Sequence, residues 1–151
     1  MGRHLIPRAV WVGLACTMIG CGDPEIVVPE VLAVDLYPPH GSVEIAVNVQ
    51  GLVYFSHEVA DPEVANQGIS LECVGTPSPS CATPIDTPCA TAPVSAAVAF
   101  EPGAMEARIT LGQDLESNLC YVYRVNGGIE AKDKNVGPLP NDRRAVFQTA
   151  L

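Results

Sequence analysis

The side chains able to do chemistry fall into four groups. Six cysteines stand at Cys16, Cys21, Cys73, Cys81, Cys89 and Cys120. Thiols pair by oxidation, bind soft metals or accept an acyl group, depending on compartment and spacing. Ser56, His57 and Glu58 are nucleophile, base and acid types in a row. Neighbouring side chains on a strand point to opposite faces, so these three are not expected to form a relay with one another. No G-x-S-x-G elbow supports a hydrolase. Asp133, Asn135 and Asp142 offer oxygen donors for calcium, but without the regular spacing of a dedicated loop, so a solvated loop is the better reading. Tyr54, Tyr121 and Tyr123 could stack on a sugar, although their strand positions favour packing in the core or across strands. Zinc sites favour C-x₂₋₄-C knuckles. Here the gaps from Cys73 to Cys81 and from Cys81 to Cys89 each hold seven residues. No metal, cofactor or catalytic residue is expected.

The elements that would hold these residues are short and extended. Pro and Gly, 14 and 13 of them, punctuate the chain. Val31 to Tyr37 is rich in branched apolar residues, and Pro38-Pro39-His40-Gly41 ends it. Val43, Ile45, Val47 and Val49 alternate with polar or small residues, the period of a half-buried strand. Further strands are expected at Leu52–Phe55, Ile69–Cys73, Val94–Glu101, Ala107–Leu111, Tyr121–Val125 and Ala145–Ala150, with a short helical turn at Pro62–Ala65. Parity turns Tyr121, Tyr123 and Val125 inward, and Val122 and Arg124 outward. Seven or eight strands and no strong helix make an all-β fold, best solved as two packed antiparallel sheets.

The N-terminus is of a different kind. Arg3, His4 and Arg8 precede an apolar run of 11 residues, Ala9 to Ile19. That is within the roughly 7–15 of a secretory signal core and short of the ~20 needed to span a bilayer. Met18-Ile19-Gly20-Cys21 resembles a bacterial lipobox, in which the thiol receives a diacylglyceryl group and the chain is cut before it. Met18 stands where the family usually has Leu, Val or Ile. The rival acceptor Cys16 has the poorer Gly13 upstream. The resemblance implies a signal peptide over 1–20, a lipidated Cys21 with a short tether over 21–30, and a domain over 31–151. By analogy with enterobacterial sorting, Gly22 points to the outer membrane.

The mature chain would hold six Lys and Arg against 17 Asp and Glu, a net charge of −11. Such a surface repels phosphate backbones and argues against nucleic-acid partners. It gives no polybasic help at a membrane, so anchoring would rest on lipid.

With Cys16 in the signal and Cys21 acylated, Cys73, Cys81, Cys89 and Cys120 remain, and two disulfides are expected. Residues 75–93 carry five prolines, many Ser and Thr, and no period. Too few large apolar groups are present to order them by burial, so disulfides are expected to staple them. The leading pairing is Cys81–Cys89 with Cys73–Cys120. The alternatives are Cys73–Cys89 with Cys81–Cys120, and Cys73–Cys81 with Cys89–Cys120. Parity counts against the leading pairing, because Cys73 would face inward and Cys120 outward.

Pro38 to Val43 (P-P-H-G-S-V), Val53-Tyr54-Phe55-Ser56, acidic Glu58 and Asp61, Ile109 to Leu111, Leu115, Tyr121-x-Tyr123-x-Val125, Gly128-Ile129 and Phe147-Gln148-Thr149 follow one another in order. Together they resemble bacterial Ig-like domains of the SbsA type over roughly residues 29–149. The loop at Asp133–Gly137 and the Cys/Pro-rich insertion depart from the pattern. The resemblance implies an Ig-like β-sandwich in the envelope or on the cell surface, structural or adhesive and without catalysis. Its expected partners are the membrane, through lipid, and an envelope protein or polysaccharide. The alternative is an envelope module that binds a carbohydrate or another small ligand.

Overall fold

In the computed structural model, residues 28–77, 81, 89 and 94–151 are described. The signal, Cys21 and most of the insertion lie outside them. Two four-stranded sheets pack face to face. The first, in the order β1-β3-β6-β5, contains β1 (Val34–Tyr37), β3 (Gly51–Phe55), β6 (Glu106–Leu111) and β5 (Ala96–Phe100). The second, β2-β8-β7-β4, contains β2 (Ser42–Ile45), β8 (Arg143–Thr149), β7 (Cys120–Val125) and β4 (Ile69–Gly75). This is the strand order of a constant-type immunoglobulin sandwich, with the first strand shared between the two sheets. The protein is an all-β, Ig-like sandwich.

The alternating segments become strands because their odd and even residues meet different surroundings. Val53, Phe55, Ala107 and Ile109 from one sheet meet Leu71, Tyr121, Tyr123, Val125 and Phe147 from the other. Tyr123 and Phe147 stack at 5.2 Å and Tyr121 and Phe147 at 5.9 Å, while Phe55 packs on Phe100 at 5.7 Å. A short helix, α1 (Pro62–Gln67), joins β3 to β4. Asp61 Oδ1 accepts the N–H groups of Glu63 and Val64, each at 3.1 Å, and Pro62 opens the helix where no N–H is needed.

Three expectations are corrected. The alternation from Val43 to Val49 makes a strand only as far as Ile45. Glu44 takes a left-handed φ of 57°, and the Val49 N–H turns back to the Ala46 carbonyl. Moreover β2 runs parallel to β8, so one pair departs from the antiparallel scheme. Val122 does face away from the central core, but it is buried at 2% exposure rather than solvated. It lies in register between Glu72 and Val146, two residues from the disulfide-bonded Cys120.

The β6–β7 connection is tied down by two hydroxyls. Tyr121 accepts the Glu116 N–H at 2.9 Å, and Thr149 accepts the Leu119 N–H at 3.0 Å while donating to the Glu116 carbonyl at 2.7 Å. A tyrosine bonded to backbone a few residues upstream at this corner recurs in Ig-type sandwiches. Burial pushes the Tyr121 phenol above its ordinary pKa, with the Glu116 N–H acting in the opposite sense. Tyr121→Phe leaves that N–H without its partner, and a loss of about 1–3 kcal/mol in urea unfolding is expected.

Candidate functional site

The strands run between two poles. At one pole sit the N-terminal segment, the β3–α1 turn, α1 itself and the long β7–β8 loop. Residues 28–33 enter there: Val31 bridges Gly137, and the Glu30 carbonyl accepts the Gly137 N–H at 2.8 Å. Glu30, expected in the tether, is already part of the packed domain. The other pole carries the end of β4, the start of β7 and both disulfides.

At the first pole Ser56 and His57 do meet. β3 ends at Phe55 and the chain bends, so strand parity no longer separates them. The Ser56 hydroxyl lies 3.1 Å from His57 Nδ1, and His57 Nε2 lies 3.4 Å from Glu30 Oε1. The acid is therefore Glu30, and Glu58 instead pairs with Lys132 at 2.7 Å. The Ser56 oxygen also accepts the Ala33 N–H at 2.9 Å. That bond anchors the hydroxyl to the N-terminal segment, and the Glu30 carboxylate is 67% exposed. The geometry fastens the N-terminal segment to the β3 corner.

Beside this clamp a groove of about 450 Å³ opens between α1 and the β7–β8 loop. Val59, Val64 and Ile129 give it apolar walls, and Asp61, Asn126 and Glu130 lie along its rim. Its volume suits a small ligand. However, the Asp61 carboxylate already caps α1, and Glu130 faces Lys134 at 3.4 Å.

The candidate calcium residues have other work. Asp133 Oδ1 accepts both the backbone and the side-chain N–H of Asn135 at 2.9 Å. Asp142 Oδ1 instead accepts the Gly127 N–H at 2.8 Å. Among the described residues, no group of three His, Cys, Asp or Glu is placed to hold a metal.

The four cysteines form Cys73–Cys89 and Cys81–Cys120, with Cα–Cα distances of 5.7 and 5.5 Å. The leading pairing is thus replaced by its first alternative. Cys73 lies opposite Tyr121 and packs against the core, whereas Cys120 stands one residue on, on the outer face. Adjacent residues with opposed Cβ vectors cannot bridge each other, so each takes a partner from the insertion. Residues 73–89 and 81–120 form overlapping rings, one bridge on each face of the β4–β7 pair.

The tyrosines divide. Tyr121 and Tyr123 are core residues, 3% and 0% exposed. Tyr54 is 42% exposed and shares the outer face of the first sheet with Tyr37 at 49%. Tyr54 thus parts from Tyr121 and Tyr123, and its neighbour on the outer face is Tyr37, which directly precedes Pro38.

No protein-family model matches this chain, and no curated protein matches it in sequence. Among solved structures, it is similar to an L,D-transpeptidase from Mycobacterium smegmatis at 15% identity and a TM-score of 0.47. The match covers 82% of this chain and 41% of that one.

Proposed function

We propose that this protein is a lipid-anchored, non-catalytic Ig-like module of a bacterial envelope, held at the outer membrane through Cys21, with a structural or protein-interaction role. The observation that carries the reading is the pair of disulfides closing on the insertion. Structural disulfides persist in oxidising compartments outside the cytoplasm. The apolar run ending in Met18-Ile19-Gly20-Cys21 supplies the route of export and the acceptor thiol. Diacylation provides two chains, where a single one anchors only marginally.

The fold gives this arrangement a direction. Six residues lie between Cys21 and Val28, and the seven Cα steps reach at most roughly 25 Å. The pole with the Glu30–His57 clamp would therefore stay near the bilayer. The disulfide-bearing pole would face away from it, presenting a covalently locked surface to other envelope components.

Cell fractionation tests the reading. The wild type is expected in the membrane fraction and Cys21→Ser in the soluble exported fraction. Equal membrane association of the two would refute lipid anchoring at Cys21.

A further inference from the structure

Eight aromatic residues occur in the chain: Trp11, three Phe and four Tyr. Trp11 belongs to the signal run. Phe55, Phe100, Tyr121, Tyr123 and Phe147 pack in or against the core. The two that remain, Tyr37 and Tyr54, both lie on the outer face of the β1-β3-β6-β5 sheet, about half exposed.

Strand register arranges their neighbours as a small grid. Tyr54 sits directly between Asp35 on β1 and Glu106 on β6. One row along, Leu52 sits between Tyr37 and Arg108. Tyr37 and Tyr54 are diagonal neighbours, about 7–8 Å apart, a span longer than one sugar ring. Arg108 is fixed by Glu101 at 2.7 Å and Glu106 at 3.3 Å. Beyond Arg108 the face continues into Ala99, whose methyl group adds little bulk. Among the described residues the other sheet offers no exposed aromatic pair: its outward residues include Ser70, Glu72, Val122, Arg124 and Gln148.

We infer that this face is a stacking platform for an uncharged polysaccharide chain. It goes beyond the anchored-module reading, which requires no ligand. Flat sugar faces present C–H groups that pack on tyrosine rings, while their hydroxyls donate sideways. Asp35 and Glu106 flank the Tyr54 ring and accept such donors. An apolar protein patch laid on the same tyrosines would strand both carboxylates out of water. Acidic polysaccharides are repelled by Asp35, Glu101 and Glu106 and by the net charge of −11 that six Lys and Arg against 17 Asp and Glu leave after the signal is removed.

The test is retention of the purified, disulfide-intact protein on insoluble chitin and on insoluble cellulose, with soluble alginate as an acidic competitor. Binding to at least one uncharged polymer is expected, without competition from alginate. Tyr37→Ala and Tyr54→Ala should each weaken it about 10-fold. Arg124→Ala, on the opposite sheet, should leave it unchanged. Both tyrosines are half exposed, so unchanged circular dichroism and melting are expected to show that the variants fold. Failure to bind either polymer would overturn the inference, as would equal binding by the tyrosine variants or displacement by alginate. So would a protein partner captured through Tyr54 by a module that retains neither polymer.

Discussion

Replacing Tyr123 by alanine is expected to lower stability by about 3–5 kcal/mol, the range for truncating a large buried aromatic. Against a typical total of about 5–15 kcal/mol, that brings the domain close to unfolding. Tyr123 is fully buried at the centre of the sandwich and stacks on Phe147 at 5.2 Å. Its ring fills the space over Gly51 on the opposite sheet. A Cβ at that glycine would come within 2.5 Å of the Tyr123 hydroxyl, so an aromatic ring at 123 leaves room only for glycine at 51. The hydroxyl itself is buried without a hydrogen-bond partner. Tyr123→Phe removes an unsatisfied group while keeping the ring, and it is expected to be neutral or stabilising by about 1 kcal/mol. Burial pushes the Tyr123 phenol well above its ordinary pKa. The folded state therefore keeps its proton where the unfolded chain, with a phenol near ~10, has lost it. That contribution is fully present below about pH 10 and is lost as pH rises through the folded value. The phenylalanine variant should lose this part of the alkaline destabilisation. Arg124→Ala should cost under about 1 kcal/mol, since its ion pair with Glu72 is about half exposed. Urea midpoints at constant slope check the series. Equal losses for Tyr123→Ala and Arg124→Ala would contradict the inward placement of Tyr123.

The second large effect concerns the disulfides. Cys73–Cys89 spans 16 residues and Cys81–Cys120 spans 39. On the chain-entropy account these rings are worth about 3 and about 4 kcal/mol. Changing Cys81 and Cys120 together to alanine should therefore cost more than changing Cys73 and Cys89 together. Cys120 is also completely buried, so a packing loss is added at that site. Thermal melting of the two double variants measures the difference. The pairing is read from non-reducing peptide maps after cleavage at Val74, which parts Cys73 from Cys81, and at Asp86, the only acidic residue between Cys81 and Cys89. Peptides joining Cys73 to Cys89 and Cys81 to Cys120 are expected. A Cys73–Cys120 peptide would contradict the two-faced arrangement.

Much of the sandwich was legible because period-two alternation reports burial directly. It located β3 to β8 to within about two residues at most ends, and Pro62 marked the start of α1. Alternation does not name a strand's partner. The parallel β2–β8 pair, and the turn that ends β2 after Ile45, depend on contacts far along the chain. The cysteines are the more instructive case. Parity already placed Cys73 and Cys120 on opposite faces, and that signal was right. The shortness of a Cys81–Cys89 ring was the weaker guide, because ring closure says nothing about which face each thiol occupies. The Glu30–His57 contact joins residues on either side of three strands, and no local pattern announces it. Tyr37 and Tyr54 could have been paired from the sequence only if the β1–β3 register had been known.

The central claim is a diacylated Cys21 at the start of the mature protein. Mass spectrometry of the N-terminal peptide from membrane-extracted protein tests it most directly. The expected first residue is Cys21, carrying the added mass of a diacylglyceryl group. An unmodified Cys21, or a mature chain that begins at any other residue, would contradict it.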